Sequence, residues 1–318
     1  GGVIDFDRDF HGVDINFTHV RGLGNGKLSA TAGIDYSRST DARRGYENFI
    51  GPQVGVIGAL RRDEEDKLTG IDPYLQLEWE GGPWVLSAGL RHSRLNVEVN
   101  DFYRSNGDDS GATKYRQSTP VAGVLYKVSP VLNVYASAAR GFETPTLNEL
   151  FYSPSGAGFN FGLRSAKSKH VEGGVKAIVG SNTRVNAALF QVRTEDELVV
   201  DTSGGGRTSY RNASETLRRG AELSVESSFA GGWSARMALT ALRATYETGF
   251  GAVAPGRHLP GILRANLFGE LSWNDKAERL DAALKAIASE KFYTEDTNTE
   301  IPAPGYGLLN ARVQAKQA

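Results

Sequence analysis

Arginine and aromatic side chains occur together in three polar stretches of this 318-residue sequence. Arginine makes charge-assisted hydrogen bonds to anions, and tyrosine or phenylalanine rings offer faces for stacking. Together they could bind an anionic ligand that carries flat groups. The candidate ligand-binding residues are Arg43, Arg44, Tyr46, Tyr103, Arg104, Tyr115, Arg116, Phe151 and Tyr152. For each of them, an ordinary place at the polar rim of a membrane protein is the alternative.

Histidine spacing does not predict a metal site. None of His11, His19, His92, His170 and His258 has a partner at the HxxxH spacing of a metal-binding helix, and cysteine is absent. The acidic runs at 63–66 and 108–109 lack the Asp-x-Asp-x-Asp-Gly pattern of a calcium loop, so we interpret them as solvated charge. We expect no resident metal or cofactor, and we add only His258, in a predicted loop, to the candidate ligand-binding residues.

Catalytic patterns are also missing. No Gly-x-Ser-x-Gly turn occurs, and the adjacent His92 and Ser93 would point to opposite faces of a strand. We therefore do not expect an enzyme, although a barrel hydrolase of the outer membrane stays open as an alternative.

The composition limits the class of protein. Lys and Arg number 36 against 37 for Asp and Glu, so the net charge of −1 does not favour nucleic-acid binding. The mean hydropathy is −0.35, and no apolar run reaches the length of a membrane helix. A membrane-spanning β-barrel remains compatible, because its strands alternate apolar and polar residues.

Period-two alternation in segments of about ten residues is the dominant pattern. In one segment Leu28, Ala30, Ala32, Ile34 and Tyr36 share a face, and polar residues or glycine share the other. The predicted strands lie near 13–20, 27–37, 67–80, 84–99, 117–128, 131–140, 166–179, 184–199, 207–229, 233–246, 259–273, 278–291 and 304–316. Residues 276–288 also have a helical pattern, but the alternation favours a strand.

The predicted connections alternate in length. Short turns near 81–83, 129–130, 180–182 and 231–232 alternate with long polar links at 38–66, 100–116, 141–165 and 247–258. The four tryptophans, Trp79, Trp84, Trp233 and Trp273, all lie beside short turns, which is typical of an aromatic girdle. These features predict an all-β fold: a transmembrane antiparallel up-and-down barrel with its short turns on the periplasmic side.

The number of predicted strands is odd, whereas single-chain bacterial barrels close with an even number. The chain also begins in polar sequence at Gly1 and ends at Ala318 without a terminal aromatic residue. We therefore expect residues 1–318 to be one partial barrel domain.

Several motifs resemble the barrel domain of TonB-dependent outer-membrane receptors. The segment VYASAARGFETPTLNELFY at 134–152 is similar to a family strand followed by a Gly-Phe-x-x-Pro-x-x-x-Glu-Leu loop. The segment SAKSKHVEGGVKA at 165–177 is similar to a family run that ends in Glu-x-Gly. Weaker matches follow in family order at 71–79, 86–95, 210–226 and 302–313, whereas a plug domain, a TonB box and the terminal strands are not found.

The resemblance implies a 22-stranded barrel closed by an N-terminal plug, in the outer membrane of a Gram-negative cell. It implies TonB-dependent active import of a scarce nutrient, with a ferric siderophore or other metal chelate as the usual cargo. The stretches 41–51 and 60–66 look most like receptors for ferric chelates. The implied partners are TonB, reached through the plug, the chelate, and outer-membrane lipid with lipopolysaccharide. A passive porin or autotransporter barrel is the alternative, against which the 134–152 motif and the loop lengths argue.

Overall fold

The computed structural model describes residues 2–153, 158–204, 207–213, 215–275 and 279–315. Extended backbone dominates, as the alternation predicts. The strands are β1 (Gly2–Leu23), β2 (Gly26–Glu47), β3 (Phe49–Ile50), β4 (Gln53–Val54), β5 (Leu60–Gly81), β6 (Trp84–Asp101), β7 (Gly111–Ser129), β8 (Leu132–Glu143), β9 (Ala166–Val179), β10 (Thr183–Glu195), β11 (Leu198–Gly204), β12 (Arg207–Asn212), β13 (Glu215–Ser228), β14 (Trp233–Tyr246), β15 (Ala265–Asn274), β16 (Leu280–Ser289) and β17 (Tyr306–Ala315). The helical elements are α1 (Leu147–Leu150) and two 3₁₀ turns, Arg104–Asn106 and Ala230–Gly232.

Thirteen strands form one antiparallel sheet in the order β1-β2-β5-β6-β7-β8-β9-β10-β13-β14-β15-β16-β17. The remaining strands form two separate ribbons, β3-β4 and β11-β12, inside long links. Each strand of the main sheet pairs with its neighbours along the chain, which is the up-and-down meander of a barrel wall. All thirteen predicted strands are found in this sheet, so the predicted fold class is confirmed.

The sheet has two chemically different faces because successive side chains on a strand alternate. The outer face carries exposed apolar residues, such as Ile34 at 43% exposure, Leu75 at 46% and Leu90 at 50%. The inner face carries polar residues over much of its height. Its upper part is covered by the link at 144–165, which packs on the inward-pointing side chains of Val97 and Tyr115.

Short and long connections occupy opposite ends of the wall. Described short turns lie at 24–25, 82–83, 130–131, 180–182 and 229–232. Gly24 at φ +61° and Gly82 at φ +53° adopt the left-handed backbone that such turns need. The long links span 48–59, 102–110, 144–165, 196–214, 247–264 and 290–305. The predicted alternation in length is confirmed.

All four tryptophans lie at the short-turn end. The Trp79 indole Nε1 donates to the Leu23 carbonyl at 3.1 Å, and the Trp273 Nε1 donates to the Gly231 carbonyl at 2.9 Å. The Trp84 ring lies 4.5 Å from that of Tyr126, and the Trp233 and Trp273 rings are 6.5 Å apart. The grouping of tryptophans beside the short turns is as predicted.

Several predicted boundaries are wrong. The links expected at 38–66 and 100–116 are shorter, because β2 continues to Glu47, β5 begins at Leu60 and β7 begins at Gly111. The first strand runs over Gly2–Leu23 rather than 13–20. The strands expected at 184–199 and 207–229 each divide, into β10 with β11 and into β12 with β13. In the upper parts of β2 and β5 both faces are polar, so alternation no longer marks a strand there.

In the ambiguous stretch at 276–288, residues 280–288 belong to β16 (Leu280–Ser289), which confirms the strand prediction for that part, while 276–278 lie outside the described residues. Within the described ranges, no helix has both the length and the apolar character needed to cross a bilayer.

Candidate functional site

The upper ends of β2, β5 and β6 bring three charged residues side by side on the inner face. Arg43 on β2 lies directly opposite Glu64 on β5, which lies opposite Asp101 on β6. All three lie above the apolar band, because the outer-face neighbours Asp63, Glu65 and Lys67 on β5 are charged and the run of exposed apolar residues toward the short-turn end begins below them, at Ile71. The site therefore lies at the long-link end of the wall.

Glu64 holds two arginines in place. Its Oε1 accepts hydrogen bonds from Arg43 Nη1 at 3.1 Å and from Arg62 Nη1 at 3.2 Å. The Glu64 residue is only 4% exposed, and burial raises the pKa of its carboxyl while the two arginines oppose that shift. Two guanidinium groups are thereby fixed at one edge of a pocket, with one carboxylate between them.

Three aromatic rings lie against these arginines. The Arg43 guanidinium carbon is 3.9 Å from the centre of the Phe151 ring, and that of Arg62 lies 5.1 Å from Phe151 and 5.4 Å from Tyr152. Phe159 meets Phe151 edge to face at 5.5 Å. These distances are in the range of cation–π and aromatic pairs. We call Arg43, Arg62, Phe151, Tyr152 and Phe159 the Arg–aromatic cluster.

The link at 144–165 carries the rings to this position. Thr146 caps α1: its hydroxyl accepts from the Glu149 backbone N–H, and the Glu149 carboxylate accepts from the Thr146 backbone N–H at 2.7 Å. Leu150 is fully buried with Val97, Tyr115 and Leu163. Apolar burial thus anchors the link on the inner wall and fixes the rings that follow it.

The Arg–aromatic cluster borders a cavity of about 380 Å³. Its lining includes four arginines, Arg43, Arg61, Arg62 and Arg207, against three carboxylates, those of Glu64, Asp101 and Asp109. All three carboxylates have hydrogen-bond donors within the protein. Glu64 accepts from Arg43 and Arg62. Asp101 accepts from the backbone N–H groups of Tyr103 and Asp109, and Asp109 accepts from the Asn106 side chain at 3.2 Å. The cavity can therefore offer cationic groups and ring faces to an anionic guest.

Asp66 lies below this cavity and is fully buried. Neither of its carboxylate oxygens has a hydrogen-bond partner among the described residues. Burial and the nearby Glu64 charge raise the pKa of Asp66 to about 7, with Asp41 adding to the effect and Arg43 and Arg62 opposing it. This carboxyl is partly protonated near neutral pH.

Five of the ten candidate residues come together at the cavity. The structure places Arg43, Tyr46, Tyr103, Phe151 and Tyr152 in its lining. Tyr115 is close by but buried behind the surface, where its hydroxyl donates to the Leu163 carbonyl at 3.1 Å. Tyr115 therefore supports the link at 144–165 and offers no surface to a ligand.

Four candidates lie elsewhere. Arg44 points to the outer face and pairs with Asp63 at 3.3 Å, and Arg104 pairs with Asp108 in its own exposed turn. This pairing holds the pKa of Asp108 down, at about 2. Arg116 is exposed on the outer face of β7. The prediction of a link over 100–116 is wrong at its C-terminal end, because β7 begins at Gly111. Tyr115 and Arg116 are therefore strand residues rather than loop residues.

His258 belongs to a different part of the long-link end. Its backbone N–H donates to Asn298 Oδ1 at 2.6 Å, and its ring stacks on Tyr293 at 5.4 Å. Burial lowers the pKa of His258, and Arg264 and Arg243 lower it further. No group of three metal-ligating side chains occurs among the residues with described positions.

Sequence reasoning missed Arg62, Phe159 and Glu64 as members of the site. Arg62 and Glu64 fell in a stretch predicted as a loop, whereas continuing the β5 alternation upward would have placed both on the inner face. No sequence pattern indicated Phe159, because its position depends on how the link at 144–165 folds.

A second and larger cavity, of about 810 Å³, lies at the same end between other links. Arg218 makes a two-pronged ion pair with Glu197, at 2.6 and 3.1 Å, and the Tyr246 hydroxyl donates to Asp296 at 2.6 Å. Burial and Asp296 raise the pKa of Tyr246. Because its main charged groups are paired internally, this cavity is the weaker candidate for binding an anion.

The comparisons with known proteins agree on one fold. Residues 2–316 match the family profile described as TonB dependent receptor-like, beta-barrel. Among curated proteins, the metal-pseudopaline receptor CntO of Pseudomonas aeruginosa (strain UCBPP-PA14) is 25% identical over 171 residues, which are 51% of this chain and 22% of that receptor.

Solved structures are similar along nearly all of the chain. The ferric citrate transporter FecA in its unliganded form gives a TM-score of 0.81 at 15% identity, covering 98% of this chain and 47% of that one. The ferric-catecholate import receptor Fiu from E. coli K12 gives 0.76 at 17%, with coverages of 98% and 49%. BauA, the ferric preacinetobactin receptor of Acinetobacter baumannii, gives 0.75 at 19%, with coverages of 98% and 48%. The chain thus spans about half the length of these structures.

Proposed function

Because the chain belongs to the TonB-dependent receptor-like β-barrel family, we propose that it is part of an outer-membrane receptor that actively imports a ferric siderophore or another metal chelate. In this proposal residues 1–318 are a portion of the barrel domain. A plug encoded elsewhere in the full protein closes the lumen and contacts TonB, which relays the energy. A lumen as wide as that of a 22-stranded barrel needs such a plug.

The Arg–aromatic cluster is the observation that supports a chelate as cargo. Ferric chelates are often anionic and carry aromatic or hydroxamate groups, so they need cationic donors and flat ring faces together. Arg62 lies within 6 Å of three ring centres, those of Phe151, Tyr152 and Phe159. Guanidinium groups make fork-like hydrogen bonds to carboxylates and similar oxyanions. The arginines of the cluster can therefore bind the anionic groups of such a ligand, and its rings can stack on the ligand's flat groups.

The location of the cluster also fits an entry site. It lies on the inner face, at the end of the long links and away from the short turns. In outer-membrane barrels the longer loops are extracellular and the short turns periplasmic. A chelate arriving from outside would meet this cluster first.

The similar proteins support transport rather than catalysis. FecA is described as a ferric citrate transporter, Fiu as a ferric-catecholate import receptor, and OprC as a copper transporter. CntO is described as a receptor for metal-pseudopaline. Their cargoes differ in chemistry, so for this chain the cargo is proposed as a class and not as one compound.

The direct test is isothermal titration calorimetry of the full-length protein with ferric catecholates, ferric hydroxamates, ferric citrate, cobalamin, haem and free metal ions. Calorimetry is preferred to tryptophan emission, since the four tryptophans of this chain lie at the opposite end from the cluster. We expect one chelate to bind with a sub-micromolar Kd. Silence across the whole panel would contradict the proposal.

Two adjacent arginines provide a matched pair of variants. Arg43 is on the inner face in the cluster, whereas Arg44 is on the outer face, paired with Asp63. We expect Arg43→Gln to weaken chelate binding by about tenfold or more, because a charge-assisted contact is lost. Arg44→Gln should change Kd by less than about twofold, since an exposed pair contributes little. Equal losses in both variants would argue against the cluster as the binding site.

A further inference from the structure

The larger cavity at the long-link end, of about 810 Å³, has an apolar wall. Val199, Val253 and Leu259 line it and are at most 9% exposed, and Phe250 and Ile262 pack against them. Closely packed side chains of this kind present a fixed surface to an apolar guest. Because small-molecule sites enclose about 300–1,000 Å³, the cavity has the volume of a site for a small organic molecule.

The link at 290–305 adds an acidic edge to the same cavity. Glu295 and Asp296 are neighbours in its lining, and both are partly exposed. In the described ranges, neither carboxylate forms an ion pair. A hydrogen bond from the Thr297 hydroxyl lowers the pKa of Glu295, and backbone N–H groups of the same turn add to this effect. Unpaired negative charge therefore lies at the edge of the cavity.

Tyr246 joins the acidic edge to the apolar wall. Its ring meets that of Phe250 edge to face at 5.0 Å, and its hydroxyl donates to Asp296 Oδ1 at 2.6 Å. Tyr246 is only 1% exposed, so packing fixes both contacts. The second oxygen of Asp296, Oδ2, accepts no hydrogen bond from the part of the chain that the structure describes. One carboxylate oxygen is therefore held free beside an apolar surface.

The remaining charges of the lining compensate one another. Glu197 pairs with Arg218 at 2.6 Å, and Asp201 pairs with Arg211 at 3.3 Å. The excess charge of this cavity is therefore negative and lies at 295–296. The cavity beside the Arg–aromatic cluster has the opposite balance, with four arginines against three carboxylates. Because charges interact more strongly where water is partly excluded, the two cavities favour guests of opposite charge.

We propose that the larger cavity is a second binding site, for a small organic cation made of a protonated amine and an apolar body. The ammonium group donates to the free Asp296 oxygen and lies beside the Glu295 charge, since an ammonium offers three donors. The apolar body covers Val253, Leu259 and Ile262. The site is separate from the Arg–aromatic cluster and does not depend on which chelate is imported.

Three indole probes of similar size test the proposal: tryptamine, a cation; tryptophol, its neutral counterpart; and indole-3-acetate, an anion. Equilibrium dialysis of the full-length protein in non-ionic detergent measures each Kd, and a protein-free dialysis corrects for partition into micelles. We expect tryptamine to bind with a Kd of about 0.1–1 mM, at least about tenfold more tightly than the other two. Added salt should reduce this preference. Equal binding of the three probes would overturn the proposal.

A matched pair of variants locates the site. Asp296→Asn removes the charge but keeps an oxygen that can accept from the Tyr246 hydroxyl. It should weaken tryptamine binding by about fivefold to tenfold and change that of tryptophol by less than about twofold. The control is Asp108→Asn, which neutralises an exposed carboxylate paired with Arg104 outside this cavity and should change neither Kd. An undiminished tryptamine affinity in Asp296→Asn, or an equal loss in the control, would contradict the assignment.

A heat-modifiability gel checks folding, and Glu295→Gln serves with the same expectation if Asp296→Asn fails to fold. Arg43→Gln alters the other cavity and should leave tryptamine binding unchanged. A loss of tryptamine binding in Arg43→Gln would show that the two cavities act as one site and would overturn the inference. Chelate titration of the same samples keeps this result distinct from the proposed import function.

Discussion

Among the individual residues, Asp66 is a buried carboxyl without a hydrogen-bond partner in the described structure. Its pKa is raised to about 7, so between the unfolded-state value of about 3.9 and pH 7 the folded protein binds more protons than the unfolded one. Stability therefore falls as pH rises through this window, because the carboxyl ionises freely in the unfolded chain while burial keeps it protonated in the folded protein.

This gives a prediction for Asp66→Asn, which mimics the protonated carboxyl at every pH. The stability of the variant minus that of wild type should increase by about 2–3 kcal/mol from pH 5 to pH 8. The midpoint temperature of unfolding at each pH measures the effect. Asp9→Asn neutralises an exposed carboxylate on β1 and should show no such pH-dependent gain. If the midpoint temperatures of Asp66→Asn and wild type differ by the same amount at pH 5 and at pH 8, the account is refuted.

Tyr152 is predicted to contribute to the choice of cargo. It is half-buried beside Arg62 in the cavity lining, so its ring can stack on an aromatic ligand group. Tyr152→Leu should weaken binding of an aromatic ferric chelate by about threefold to tenfold and leave a non-aromatic chelate such as ferric citrate nearly unaffected. Calorimetric titration of both chelates measures this difference. Parallel losses for the two would show that the ring acts only by filling space.

Among the elements, the link at 144–165 is held by the fully buried Leu150. Leu150→Ala should cost about 2 kcal/mol or more of local stability and open the link roughly thirtyfold more often. Limited proteolysis, with cleavage sites mapped by mass spectrometry, reports the rate. Ile57→Ala removes a residue that is 63% exposed, in the link at 48–59, and is the control. Unchanged cleavage within 144–165 would show that the anchor lies elsewhere.

The elements also show how far sequence reasoning reaches. Where one face meets apolar surroundings, as in Leu28–Tyr36 of β2, alternation located the strands correctly. In the upper parts of β2 and β5 both faces are polar, so residues 38–47 and 60–66 were predicted as loops. The sequence therefore did not predict that Arg43 lies directly opposite Glu64 on paired strands. The packing of Phe151 and Phe159 depends on a folded link, which no short-range pattern encodes.

For the whole molecule, the open edges of the sheet carry a prediction. β1 pairs with β2 and β17 with β16, and no described strand pairs with their other sides. β1 alone presents a 22-residue edge. Because unpaired strand edges cannot persist in lipid and promote aggregation in water, residues 1–318 expressed alone should aggregate in detergent. A folded, heat-modifiable monomer would contradict the proposal that this chain is a portion of a larger barrel.

The central claim is active import, and uptake of a radiolabelled ferric chelate tests it most directly. The full-length protein is expressed in cells that lack their own receptors for that chelate, with and without a functional TonB. We predict that the chelate binds in both strains but accumulates inside only where TonB is functional, and that Arg43→Gln lowers this accumulation whereas Arg44→Gln does not. Equal accumulation with and without TonB would indicate a passive pore and contradict the account.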